Sequence, residues 1–326
     1  MKSTPWARWT TAAMLAMAAL APAQVLAQVP ARFYWKTLSG ANAVPVIFNS
    51  LSGNTNPFDP SHQVLDPNAN IEATMLMTGW ASTYTLFDRS AMGAIILPMG
   101  RVSATGTVAG NTASESSRGF GDPMLEFNYN LIGPPAQKSI PDVLRYQPGF
   151  SLDLLVDLAL PIGEYDSKQS VNLGQNRWYG RIGAPVVWQL GAWVPGRRTT
   201  LELLPAVWLF GDNDDFTGKT LKTDPMFQVD AHLTRDFTEH LWGGLDLSWY
   251  KGGGSTINGV AGGKLNNLGM GLTLGYTINE NLNLTMGYKS TVNDSGPTDM
   301  RMDGFMVSLV FGWHPIIEGM RRLKSE

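Results

Sequence analysis

Between Leu268 and Lys289 the chain alternates without a break, and no other feature narrows its possible folds so far. Leu268, Met270, Leu272, Leu274 and Tyr276 share one face of an extended segment, and Gly269, Gly271, Thr273, Gly275 and Thr277 share the other. After the polar turn Ile278-Asn279-Glu280-Asn281, Leu282, Leu284, Met286 and Tyr288 alternate with Asn283, Thr285, Gly287 and Lys289. Side chains of a strand point to opposite faces with period 2, so this is a hairpin with one apolar and one polar, glycine-rich face. A half-buried sheet of a soluble protein would show the same pattern. The unit recurs down the chain, however, behind what reads as an export signal and in a sequence with no cysteine. That combination predicts an all-β fold, a transmembrane antiparallel β-barrel with lipid on its apolar side and a polar lumen within.

Residues 1–27 carry the marks of a cleaved signal peptide: Lys2 and Arg8, a short apolar run from Thr11 to Ala21, and small residues Val25 and Ala27 at the cleavage positions. The apolar run falls short of the roughly 20 residues of a spanning helix. No later stretch is long enough to be one, so a membrane-embedded chain must cross as a closed barrel, which satisfies every backbone polar group internally. Loss of Lys2 and Arg8 leaves 22 basic against 27 acidic residues, a mild charge with no basic stripe for nucleic acid. Mean hydropathy is −0.08, as expected where half of each strand is polar.

Twelve strands are expected: 42–50, 71–85, 91–104, 120–132, 149–162, 178–190, 199–211, 225–235, 240–251, 267–277, 282–291 and 302–313. Their connectors alternate long and short, as in outer-membrane barrels, whose long loops lie outside and whose short turns are periplasmic. An even count puts both chain ends in the periplasm. The exception is 133–148, long where a short turn belongs and containing Pro134, Pro135 and Pro141; it reads as an ordered periplasmic excursion, or as a hidden pair that would raise the count to fourteen. The domain reading is thus signal peptide 1–27, barrel 28–313 and a periplasmic C-terminal tail 314–326, in which Arg321, Arg322 and Lys324 are solvated. The rival is an exported soluble β-sandwich or lipocalin-like barrel. Strand length favours the membrane, and so does the gathering of Trp80, Tyr84, Trp178, Tyr179, Trp188, Trp208, Trp242, Trp249, Tyr250, Tyr276, Tyr288 and Trp313 near strand ends, where aromatic girdles form.

Several words in the chain are more specific than periodicity: Phe87-Asp88-Arg89-Ser90, Arg118-Gly119-Phe120-Gly121-Asp122-Pro123, Leu160-Pro161-Ile162-Gly163-Glu164-Tyr165-Asp166 and Asn172-Leu173-Gly174. In these the chain resembles the "MetA-pathway of phenol degradation" family of outer-membrane proteins, from about Val44 to the last strand. The resemblance implies a barrel with a transport role, associated with aromatic catabolism, and brings no agreed substrate-binding residues.

Charge assigns the faces. A basic residue in lipid near the midplane costs about 2–4 kcal/mol and an acid somewhat less, so several together would exceed the stability of an ordinary domain. Glu126, Asp153, Asp157, Arg181, Glu202, Gln228, Asp230, His232 and Asp246 are therefore the expected lumen-lining set. They could form a path for solute or a plug of paired side chains. No catalytic, cofactor or metal residue is expected. An acyl hydrolase would need a histidine base, and only His62, His232, His240 and His314 exist. His232 reads more simply as a lumenal residue satisfied by an aspartate, and Asp212, Asp214 and Asp215 as a solvated loop. With the first strand soon after the cleavage point, there is no room for the long plug domain of an energised receptor. The sequence predicts an outer-membrane channel for passive uptake of small hydrophobic, aromatic compounds, with lipid and a small solute as partners; a hydrolase or a purely structural barrel is the alternative.

Overall fold

The structure, a computed structural model, describes residues 29–319 apart from 65, 109–110, 295 and 297–298. The signal segment 1–27 and tail residues 320–326 lie outside the described residues. In chain order the elements are β1 (Asn42–Gly53), β2 (Asn70–Leu86), β3 (Arg89–Val108), β4 (Asn111–Phe120), β5 (Met124–Ile132), α1 (Ile140–Arg145), β6 (Phe150–Ala159), β7 (Tyr179–Gly183), β8 (Val186–Gln189) and β9 (Thr199–Phe210). They continue as β10 (Asn213–Phe216), β11 (Lys219–Thr223), β12 (Met226–Asp236), β13 (Leu241–Gly252), β14 (Ser255–Ile257), β15 (Val260–Ala261), β16 (Leu265–Thr277), β17 (Leu282–Thr291) and β18 (Met302–Trp313).

These form a closed antiparallel barrel of 12 staves. The first strand pairs with the last over its full length, Asn42 opposite Trp313 and Gly53 opposite Met302. Two staves are each built from two strands. Gly121-Asp122-Pro123 separates β4 from β5, and Ala184-Pro185 separates β7 from β8. Proline has no N–H for the ladder, so pairing lapses at it. The freed groups are still used: Ala184 N–H donates to the Pro205 carbonyl at 2.9 Å and Asp153 N–H to that of Pro185 at 2.8 Å.

Every expected strand corresponds to a stave, with boundaries shifted by a few residues. The structure adds β4, which extends the wall beyond the expected 120–132 stave, and a separate four-stranded sheet of β10, β11, β14 and β15 on the long-loop end. Their sequences (Asn-Thr-Ala-Ser-Glu-Ser-Ser in β4, Lys-Thr-Leu-Lys-Thr in β11) are short and mostly polar, with at most a single buried apolar residue such as Leu221, so no apolar face betrays a strand. The 133–148 connector carries α1 and lies across the short-turn mouth. There Leu38 and Gln137 form a parallel bridge, and Tyr146 packs edge-on against Trp193.

Leu154, Val156 and Leu158 of β6 and Met270, Leu272 and Leu274 of β16 are exposed on the outer wall. Their neighbours Asp153, Asp157 and Thr273 are buried within it. One part of the girdle expectation needs correcting. Trp80, Trp178, Trp188, Tyr276 and Tyr288 do face outward, but Tyr179, Trp208, Trp242 and Tyr250 are buried inside the lumen. Adjacent residues of a strand cannot share a face, so Trp178 and Tyr179 necessarily part company.

Two outcomes are expected. A cysteine at Lys219 or Lys264 on the long-loop end should react with a membrane-impermeant maleimide on intact cells, and one at Thr238 in a short turn should not. Leu272→Arg should lower unfolding stability in lipid vesicles by about 2–4 kcal/mol, whereas Ile278→Arg in a turn should change it little; urea titration of the refolded barrel measures both.

Candidate functional site

The lumen gathers the polar faces of all the staves. Strand register brings Glu126 of β5, Asp157 of β6 and Arg181 of β7 side by side. Arg181 Nε donates to Asp157 Oδ2 at 2.6 Å, and its guanidinium lies 5.0 Å from the Trp208 ring. On the next three staves the same logic aligns Glu202 of β9, His232 of β12 and Asp246 of β13. His232 Nδ1 lies 2.6 Å from Asp246 Oδ1, and the Thr273 hydroxyl donates to Asp246 Oδ2 at 2.5 Å. The aspartate that satisfies His232 is thus its ladder neighbour on β13, not Asp230 two residues away. Gln228 takes a hydrogen bond from Trp208 Nε1 at 2.6 Å and donates to Asp230 Oδ2 at 2.5 Å; Lys289 Nζ stands 4.0 Å from Asp230 Oδ1. Asp153 is held by Lys36 and by Asn130 Nδ2.

All nine sequence candidates are therefore buried on the inner face. Lys36 meets the charge of Asp153, Arg181 that of Asp157, and Lys289 stands near Asp230. Charges taken out of water persist when paired and hydrogen-bonded, a condition Asp153 and Asp246 meet, whereas Glu126 Oε1, Asp157 Oδ1 and Asp230 Oδ1 are buried without a hydrogen bond.

Two stoppers narrow the bore, and neither was expected. At the short-turn end residues 29–41 enter the lumen. The Arg32 backbone N–H donates to Glu202 Oε2 at 2.8 Å, its Nη1 pairs with Asp236 at 2.7 Å, and its guanidinium lies between the Trp35 and Trp242 rings at 4.3 and 4.1 Å. Trp35 Nε1 donates to Glu202 Oε1 at 2.9 Å, and Tyr34 packs on Leu155, Val187, Leu204 and Ala206. Among the described residues it is this short segment that plugs the bore. Its residues have no periodicity because they are held by side chains of several strands, β6, β9 and β12 among them.

At the long-loop end the second stopper comes from 54–64 and 163–177. Arg177 pairs with Asp59 at 3.2 Å and donates to Thr223 at 2.7 Å, and Asn56 Nδ2 donates to the Asn172 carbonyl at 2.6 Å. Three of the four specific words of the sequence meet here; Phe87-Asp88-Arg89-Ser90 lies at the other end, at the short turn between β2 and β3. Asp122 Oδ1 accepts the Gly163 N–H at 2.9 Å and Oδ2 the Gln175 N–H at 2.8 Å. A Cβ on Gly163 would sit 2.6 Å from the Gly121 carbonyl carbon, and one on Gly174 would sit 2.7 Å from that of Gly163. Three backbone segments approach so closely that only glycine fits. Asp122 was not among the expected site residues, although the word containing it was the one signal available.

Between the stoppers lies a cavity of about 160 Å³. Ile47, Met75, Met77, Phe58, Pro98 and Leu173 are among its apolar walls; Tyr179, Trp208, Tyr250, His62 and Asp122 also line it, as do Glu126, Arg181 and Gln228. Of the nine candidates only these last three border it. The cavity also touches Thr78, Trp80 and Ile95, beside the point where β1 and β2 part. Ala43 pairs with Ala81 and Val46 with Thr78, but Val44 and Pro45 have no ladder partner on β2, and the Pro45 carbonyl instead accepts the Thr78 hydroxyl at 3.0 Å. Among the described residues no cluster of histidine, cysteine or carboxylates could hold a metal, and Asp212 simply pairs with Lys222 at 2.5 Å.

Asp122→Ala should strip two buried N–H groups of their acceptor and cost about 2–4 kcal/mol, with Asp122→Asn costing less; urea titration in vesicles compares them.

Comparison with known proteins is consistent with this architecture. An outer membrane channel from Pseudomonas putida F1 superposes with a TM-score of 0.70 at 18% identity, over 88% of this chain and 100% of that one. The transport unit of the autotransporter AIDA-I from Escherichia coli gives 0.49 at 8% identity, over 93% and 97%. No curated protein sequence matches the chain. The family model described as MetA-pathway of phenol degradation matches residues 50–309, a span that contains every word that converges on Asp122, and the chain belongs to that family of outer-membrane barrels.

Proposed function

We propose that the barrel is a passive channel for small, mainly apolar solutes of aromatic size, and that it is not an enzyme. The observation that carries this reading is the mainly apolar cavity that lies between the two stoppers. Its volume of about 160 Å³ matches a cavity of roughly 150 Å³ that takes up benzene in another protein. A bore this narrow admits no large polar solute. Because the cavity reaches Trp80 and Ile95 on the outer face, an apolar solute has a way into the surrounding lipid as well as along the bore. The Pseudomonas relative, itself described as a channel, supports the class of function. The nine lumen candidates serve in this reading to hold the inner wall and the stoppers together, with Glu126, Arg181 and Gln228 also facing the solute.

Selectivity against anions then follows from desolvation. An acidic field is not needed. A carboxylate entering the cavity would lose its water, and Arg181, the cation in the lining, is already paired with Asp157, whereas a neutral phenol loses little. Vesicles carrying the protein should take up phenol faster than empty vesicles and should take up benzoate much more slowly at neutral pH. No protein-dependent uptake of either would refute the channel reading; equal rates would remove the selectivity. Ala94→Trp, which puts an indole into the cavity from β3, should reduce phenol uptake several-fold while the folded barrel keeps its heat-modifiable migration on a gel.

A further inference from the structure

His62 belongs to neither the paired charges nor the apolar wall. It lies in the inward-folded loop and borders the cavity. The residue is 4% exposed, and its Nδ1 is buried with no hydrogen-bond partner. Its backbone adopts φ 50°, in the left-handed region that a histidine enters only at a cost. The surrounding contacts enforce this conformation: His62 N–H donates to the Asp59 carbonyl at 3.1 Å, Ser61 N–H donates to Asp59 Oδ1 at 2.9 Å, and Arg177 clamps the same carboxylate at 3.2 Å. The ring stands edge-on to Tyr250, with centroids 5.0 Å apart at 70°. A polar ring has been built into an apolar cavity on a strained turn, and one of its nitrogens has been left unsatisfied.

We propose that His62 is the residue that recognises the ligand's polar end, and that the cavity selects neutral hydrophobic molecules bearing a hydroxyl group. This rests on the cavity being the solute site of the channel. An unmade hydrogen bond at a buried nitrogen is costly, and a ligand that supplies the missing partner recovers that cost. Burial depresses the imidazole to about 4, helped by the Lys289 charge and opposed by Asp59, so the ring is neutral at physiological pH. A neutral imidazole presents one N–H and one lone pair. A hydroxyl is both donor and acceptor and can pair with either tautomer. A methyl group can pair with neither, and an ether serves only the protonated nitrogen.

The test compares phenol with toluene, which are nearly the same size. Equilibrium dialysis against barrels in nanodiscs, with empty discs as the blank, gives the affinity ratio of the two. His62→Gly suits the left-handed backbone and removes the ring. It should lower the phenol-to-toluene ratio about tenfold while toluene affinity holds. In the wild-type protein labelled with ¹⁵N-histidine, the His62 ring nitrogens should shift on adding phenol and stay in place with toluene, which gives a reading independent of the variant's folding. An unchanged ratio in His62→Gly, or ring signals that ignore phenol, would overturn the assignment. Either result leaves the channel reading intact, since protein-dependent uptake of phenol is measured separately. Binding of neither solute to the wild-type barrel would also overturn it.

Discussion

Everything in this protein depends on the closure of one hydrogen-bonded ladder. Inside a bilayer an unpaired backbone N–H or C=O has no water to turn to, so a sheet can exist there only without edges. The pairing of β1 with β18 along their whole length removes the last edge. Once the wall is closed, alternation is no longer a preference but a sorting rule: charged residues in the middle of a stave point inward, and those on the outer face, such as Glu72, Arg235 and Lys251, lie near strand ends. The same rule lets the wall fail only where it can be repaired locally. The breaks at Pro123 and Pro185 lie next to carbonyl and amide groups that find partners in adjacent segments.

Sorting creates a second problem, a lumen crowded with charges away from bulk water. Strand register solves most of it, because residues brought opposite one another across the ladder are complementary: Asp157 beside Arg181, His232 beside Asp246. The remainder is solved by chain that does not belong to the wall. Arg32 and Lys36 answer Asp236 and Asp153, and Arg177 answers Asp59. The stoppers are thus the partners the polar interior requires, and the narrow apolar cavity is the space that remains between them. His62, held on that framework, is a polar group the framework positions without satisfying.

The legible and illegible parts of the sequence divide along this line. The staves could be read because each obeys a local period of two imposed by lipid on one side. Asp153, Asp157, Asp230 and Asp246 could be placed on the inner face for the same reason. The inward course of 29–41 and 54–64 could not be read, since partners such as Glu202 for Arg32, Asp153 for Lys36 and Arg177 for Asp59 lie more than a hundred positions away. Tyr179 and Tyr250 were misread with the girdle because proximity to a strand end was weighed above parity.

What the sequence determined by itself was the barrel: twelve staves, their faces, and the short and long ends, all consequences of backbone geometry and the cost of a charge in lipid. Only the tertiary structure decided what fills the bore. Asp122 meets Gly163 and Gln175, Arg32 meets Asp236, and His62 meets Tyr250 through register and loop closure. These contacts join distant residues with no period to announce them, and they exist only once the wall has closed around them.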